Sequence, residues 1–214
     1  MGGERIEDKE LAELLEKKAK ELMRKCSNGT QREVIVKKVV TDCPHGIYVY
    51  DRESEAWRLI RVEGKHFEVG ELGDGAYVVY FDNTKCPACR KYDLYWYPFM
   101  ETTAKTLNGY YFIIILCEWF AGRCRSSAAA ATFKHYKVVA SPTTLLAYVV
   151  DGKTVYTEKY EGVLTLEELL KVIPSFKERG ERARKGERVE PPLKDKVSKD
   201  ELLELLRKLL GLRL

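Results

Sequence analysis

Apolar positions recur at helical spacing near both ends of the chain and at strand spacing through its middle. Leu11, Leu14, Leu15, Ala19, Leu22 and Met23 share one stripe, which predicts an amphipathic helix over Ile6 to Lys25. Asn28 and Gly29, just after Cys26, supply the left-handed cap that ends such a helix. Residues 33–40 have strand composition. Ile47–Tyr50 and Trp57–Val62 predict the arms of a hairpin around the polar loop 51–55, and His66–Leu72 predicts one more short strand before the turn Gly73-Asp74-Gly75.

From Ala76 the pattern tightens. A β-branched and aromatic strand, 76–82, runs into Cys86-Pro87-Ala88-Cys89, and a helix from 87 to 107 follows with Tyr92, Tyr95, Trp96, Phe99 and Leu107 on its apolar side. Pro98 lies inside this helix, where it removes a hydrogen bond and predicts a kink. Tyr110–Leu116 is a continuous apolar run bounded by glycine, the pattern of a strand covered on both faces. An irregular segment, 117–124, leads to an alanine-rich helix over 126–135. Strands 143–150 and 154–160 are joined by Asp151-Gly152, a strong hairpin signal. Thr165 and Glu168 form a capping box for a helix that should stop near Pro174. Residues 176–196 turn to Arg, Lys, Glu, Gly and Pro and read as a solvated linker. Ser198–Leu210 is a last amphipathic helix. Its leucines either dock on the chain's own body or pair with a second copy as a homodimer. The organisation expected is therefore an N-terminal helix with strands (1–75), a compact α/β domain (76–175), a charged linker (176–197) and a C-terminal helix (198–214).

Composition narrows the function classes. The net charge is +4 with 33% charged residues, so the surface is mixed and gives no basic field for nucleic acid. The longest apolar run, Tyr110–Cys117, is too short to span a bilayer, and the opening segment Met1–Arg5 begins no signal peptide. A cytoplasmic protein is expected. One glutamine and three asparagines stand against abundant Lys, Arg and Glu, a bias resembling that of hyperthermophile proteins. Such organisms keep intracellular disulfides, so Cys26, Cys43, Cys117 and Cys124 are open to disulfide or metal roles. Cys43-Pro44-His45 is too tight and isolated for a zinc knuckle, and no metal or other cofactor is expected. His66 and His135 have no evident partner and read as ordinary surface or edge residues.

Cys86 and Cys89 carry the chemistry. Their spacing suits either a redox disulfide or half of a metal site. Placement at a helix N-terminus favours the first, because the unpaired N–H groups and the dipole there stabilise a thiolate. Pro87 fits the first helical position, where its missing N–H costs nothing.

The order strand, C-x-x-C, helix, strand, helix, Ser141-Pro142-Thr143, hairpin, helix resembles the thioredoxin-like superfamily over roughly residues 76–174. The resemblance implies a central mixed sheet flanked by helices, here with an N-terminal α+β extension and a C-terminal helix. It implies a cis bond before Pro142, with Ser141 and Pro142 lining a substrate groove against the cysteines. It also implies thiol–disulfide exchange on disulfide-containing protein substrates, with an exposed Cys86 as nucleophile and Cys89 resolving the mixed disulfide. A thioredoxin-reductase-type protein would be the electron donor, or would accept electrons from this chain, since the Pro87-Ala88 dipeptide leaves reduction, oxidation and isomerisation all open. Lys85 stands where it could favour the Cys86 thiolate, although a solvated charge is the alternative for it and, more so, for Arg90. The family's buried strand aspartate is replaced by Tyr80. Asp82, on the same strand parity, is a substitute acid–base group or else a solvated turn residue. By the family's order Cys117 and Cys124 close an inserted loop with a structural disulfide, or form a relay pair. Cys26 and Cys43 could also pair. Trp119 and Phe120 either lie beside the cysteines or are buried under this loop. A thioredoxin-fold adaptor with purely structural cysteines is the competing function.

Overall fold

The computed structural model describes residues 34–193; the helices expected over 6–25 and 198–210, together with Cys26, lie outside the described residues. Among the described residues, seven strands form one sheet in the order β1-β3-β2-β5-β4-β6-β7. They are β1 (Ile35–Val36), β2 (Gly46–Asp51), β3 (Ala56–Arg61), β4 (Gly75–Asn83), β5 (Tyr110–Cys117), β6 (Thr143–Val150) and β7 (Lys153–Glu161). β4 and β5 run parallel, linked by the helical crossover such a pair requires, and every other pair is antiparallel. The hairpin β2–β3 therefore extends the central sheet beyond β5.

β4 explains the layering. Its successive side chains point to opposite faces, and nearly all are apolar, so both faces must be covered. Val78 and Tyr80 pack with Ile114, Leu116 and Trp57 under helix α1 (Pro87–Thr102) and helix α3 (Leu166–Val172). Tyr77, Val79 and Phe81 pack with Ile113, Ile115 and Phe133 under helix α2 (Ser127–His135). α1 continues through Pro98 and gives way at Thr103 to a 3-10 turn, Ala104–Thr106. The Thr165–Glu168 capping box is formed in both directions at the start of α3.

Three expectations differ from the structure. The strand over 33–40 is confined to β1, because Val39 leaves the sheet to become buried, its carbonyl accepting from Tyr97 Oη. Residues 66–72 form no strand. Two of their backbone donors go to side chains of α2 and its end instead, Phe67 N–H to Thr132 Oγ1 at 2.9 Å and Val69 N–H to Tyr136 Oη at 3.0 Å.

The segment read as a solvated linker begins with helix α4, Phe176–Arg184. What α4 buries is one ring, Phe176, and one charge, Arg179. Arg179 grips Glu158 of β7 through two nitrogens, at 2.6 and 2.8 Å, and donates as well to the Val172 carbonyl. Gly180 lies so close to Tyr148 that an added Cβ would stand 2.4 Å from its ring. Among the described residues no helix is long and apolar enough to cross a membrane.

Candidate active site

The last residues of β4, the first of α1, and the turn entering β6 meet at one end of the sheet. Cys86 is the N-cap of α1, with extended backbone dihedrals, and Pro87 occupies the first turn. The Cys89 N–H donates to Cys86 Sγ at 3.3 Å. The donor that a serine or aspartate would satisfy at this position thus meets a sulfur. Cys86 Sγ lies 3.5 Å from the Ser141 carbonyl oxygen, and Cys89 Sγ lies 2.9 Å from Ser141 Oγ. The Ser141–Pro142 peptide bond is cis. Both thiols are reduced, with Cys86 retaining 4% of its surface and Cys89 none. The exposure expected of Cys86 is thus slight, because the Ser141 segment lies over it.

Asn83 joins three segments at this point. Fully buried at the end of β4, it donates through Nδ2 to Ser141 Oγ at 2.7 Å and accepts at Oδ1 from the Phe120 N–H at 2.6 Å. Phe120 belongs to the loop closed by a Cys117–Cys124 disulfide. Two further backbone bonds, Thr84 N–H to the Cys117 carbonyl and Lys85 N–H to the Glu118 carbonyl, tie that loop to the turn carrying Cys86. The loop is therefore beside the cysteines. Phe120 is half-buried and stacks edge-on against Phe133, whereas Trp119 remains exposed. Cys43, by contrast, is a free thiol that accepts from the Val40 N–H, remote in sequence from this cluster.

Beneath the thiols sits a small charged cluster. Asp82 is 1% exposed and ion-paired with Arg90, which also reaches Asp93 at 3.2 Å; Tyr80 Oη donates to Asp93 at 3.1 Å. Asp82 is thus no solvated turn residue and Arg90 no solvated charge. Both are drawn inward because α1 lies across the end of β4. One guanidinium faces two carboxylates. Burial, and then the charge of Asp82, push the Asp93 carboxyl up to about 7. Burial pushes the Cys89 thiol far above its ordinary range, Asp82 adds to that, and the Ser141 hydroxyl pulls part of the way back. Asp82 Oδ2 accepts no hydrogen bond. Lys85 is exposed, outside this cluster.

Cys86, Cys89, Ser141 and Pro142, the residues to which the sequence points, come together here. Asn83 and Asp93 are not among those residues. Asp93 stands four residues after Cys89 and three after Arg90, the spacings that make neighbours on a helix, and this is the signal that could have revealed it.

Solved structures similar to this one include three thioredoxins. That of Aeropyrum pernix is 17% identical, with a TM-score of 0.37, over 70% of this chain and 100% of its own. That of Trichomonas vaginalis is 15% identical, with a TM-score of 0.34, over 48% of this chain and 85% of its own. A chloroplastic thioredoxin z is 14% identical, with a TM-score of 0.34, over 59% and 97% of the two chains. No protein-family model and no curated protein matches the sequence.

Proposed function

We propose, on the premise of a thioredoxin-like fold built around β4, that this chain is a thiol–disulfide oxidoreductase acting on protein disulfides through Cys86 and Cys89. The observation that carries the reading is the sulfur at the N-cap of α1. Cys86 Sγ accepts the Cys89 N–H at the positive end of the helix, so a thiolate formed there would meet both a donor and the helix dipole.

In the reaction, the Cys86 thiolate attacks one sulfur of a substrate disulfide. An S–S bond forms between protein and substrate, and the other substrate sulfur leaves as a thiolate. Cys89 then loses its proton and attacks Cys86 Sγ, forming the Cys86–Cys89 disulfide and releasing the second substrate thiolate. Two electrons pass to the substrate. Cys89 is too deeply buried to ionise readily unaided, so a proton acceptor is needed at that step. Asp82, whose charge acts on Cys89 and whose Oδ2 is unpartnered, is the group we assign to it. Arg90 holds its other oxygen. Return to the dithiol state requires an external dithiol, of the kind a thioredoxin-reductase-type protein or dithiothreitol supplies. The Ser141–Pro142 edge beside the two sulfurs is where a substrate chain would lie, and Val139 and Trp119 are exposed apolar side chains in the segments that lead to it and to Phe120.

The test is turnover of a disulfide-bonded protein with dithiothreitol as electron source. The reduced protein should accelerate it, Cys86→Ser should abolish the acceleration, and Cys89→Ser should accumulate a mixed disulfide. Acceleration that survives Cys86→Ser would sink the assignment.

A further inference from the structure

On the face of the sheet covered by α2, three side chains that take no part in the Cys86–Cys89 contacts converge. His66 and Glu68 come from the segment that links β3 to β4, and His135 from the last turn of α2. The two imidazole rings stack with centroids 4.0 Å apart and planes 14° from parallel. His66 Nε2 lies 2.9 Å from Glu68 Oε2, and His135 Nε2 lies 3.4 Å from the same oxygen. One ligand-type atom from each residue falls within 4.8 Å of the others.

This convergence follows from the backbone. Residues 66–69 alternate outward and inward, with Phe67 and Val69 buried and His66 and Glu68 facing out. The two buried residues are the ones whose N–H groups are fastened to Thr132 and Tyr136. Thr132 and Tyr136 bracket His135 in the chain, so the same bonds that hold the segment against α2 set its outward side chains opposite His135. A second restraint acts from the other side: the Glu68 N–H donates to Glu71, which Arg61 holds bidentately. The ligand atoms are therefore carried by backbone that is already fixed, which lowers the ordering cost of binding.

We propose that His66, Glu68 and His135 form a surface site for a borderline divalent cation of the zinc type. Two imidazole nitrogens and one carboxylate oxygen are a donor set suited to zinc and poorly matched to the all-oxygen preference of magnesium or calcium. The 3.4 Å separation of His135 Nε2 and Glu68 Oε2 is close to the edge of a tetrahedron with bonds of about 2.0–2.1 Å. Three protein ligands leave the remaining position to water. The ion would replace a contact in which two rings compete for one carboxylate oxygen, and would clamp the 63–72 segment to α2.

The measurement is Zn²⁺ binding to the full chain in a Cys86→Ser/Cys89→Ser background, which removes the dithiol as a competing ligand. It is followed by competition with a chromophoric chelator, with Mg²⁺ as the control ion. One Zn²⁺ should bind per chain at this site, and His66→Ala and His135→Ala should each weaken it by about tenfold or more. All three side chains are partly exposed, so these substitutions leave the core untouched. A second readout needs no substitution at the site. The chain has three histidines, and Zn²⁺ should displace the imidazole nitrogen resonances of His66 and His135 and leave those of His45 in place. Zinc affinity unchanged by both substitutions, or resonances of His66 and His135 that do not move, would overturn the site.

Discussion

Asp93→Asn isolates the buried charge cluster beneath the thiols. In the folded chain the Asp93 carboxyl keeps its proton up to about pH 7, against an ordinary value of 3.8, chiefly because it is buried and secondly because Asp82 is close. In the unfolded chain it releases that proton near pH 4. Between these values the folded state binds more protons than the unfolded one, so the contribution of Asp93 to stability falls as pH rises from about 4 to about 7 and is level above that. The gap corresponds to a ceiling of about 4 kcal/mol. The Asp93 side chain keeps 16% of its surface and Arg90 stands at 3.2 Å, so roughly half of that ceiling, ~2 kcal/mol, is the working expectation. Asparagine preserves the shape and removes the titration. Guanidinium unfolding of parent and variant, at fixed thiol redox state from pH 4.5 to 8, should give curves that converge or cross. The variant should gain ~2 kcal/mol relative to the parent across that range. Stability curves that stay parallel through pH 7 would refute the account of Asp93 as a neutral group beside the Arg90–Asp82 pair.

Three other substitutions probe separate parts of the argument. Ser141→Ala removes the hydroxyl beside Cys89, and the loss of one such hydrogen bond, ~1 kcal/mol, should slow resolution of the mixed disulfide about fivefold in rapid-quench experiments, with Cys86 attack little changed. Replacing both Cys117 and Cys124 by serine opens a short loop whose closure is worth ~2.5 kcal/mol on chain-entropy grounds; an unchanged denaturation midpoint would contradict that. Arg179→Met leaves Glu158 buried without its cation and should cost ~3–5 kcal/mol in chemical denaturation, while adding Glu158→Leu should recover most of the loss.

The parts of the site legible in the sequence were those written in local chemistry. Cys86 at a strand-to-helix junction, Pro87 at the first helical position, the Asp151-Gly152 turn and the Thr165–Glu168 box each depend on neighbours a few residues away. For Asp82 and Arg90 a solvated charge is the ordinary reading of the sequence, and Asp93 carries no signal beyond its helical spacing from Cys89 and Arg90. Only the phase of α1 over the end of β4 decides that these three are enclosed together. α4 escaped notice for a related reason. A helix that buries a guanidinium against Glu158, twenty-one residues earlier, shows no apolar stripe, and Gly180 reads as a breaker until Tyr148 is known to fill the space beside it. Residues 66–72 look like a strand because they alternate, yet their partners are side-chain oxygens, and no periodicity encodes that.

β7 closes the sheet on one side, and its sequence, Lys-Thr-Val-Tyr-Thr-Glu-Lys-Tyr-Glu, has a bearing on behaviour at high concentration. A terminal strand offers a row of unpaired amide and carbonyl groups on which a foreign strand could grow. Among the described residues nothing pairs with the outer edge of β7, which carries the exposed Lys153, Lys159 and Glu161, and a register shift opposite Tyr148/Val149 interrupts its regularity. An incoming strand would have to desolvate charges of both signs and follow an uneven ladder. A protein whose proposed work is to handle chains with opened disulfides, and so partly unfolded ones, would in this way receive them at its thiols without templating their aggregation along its flank.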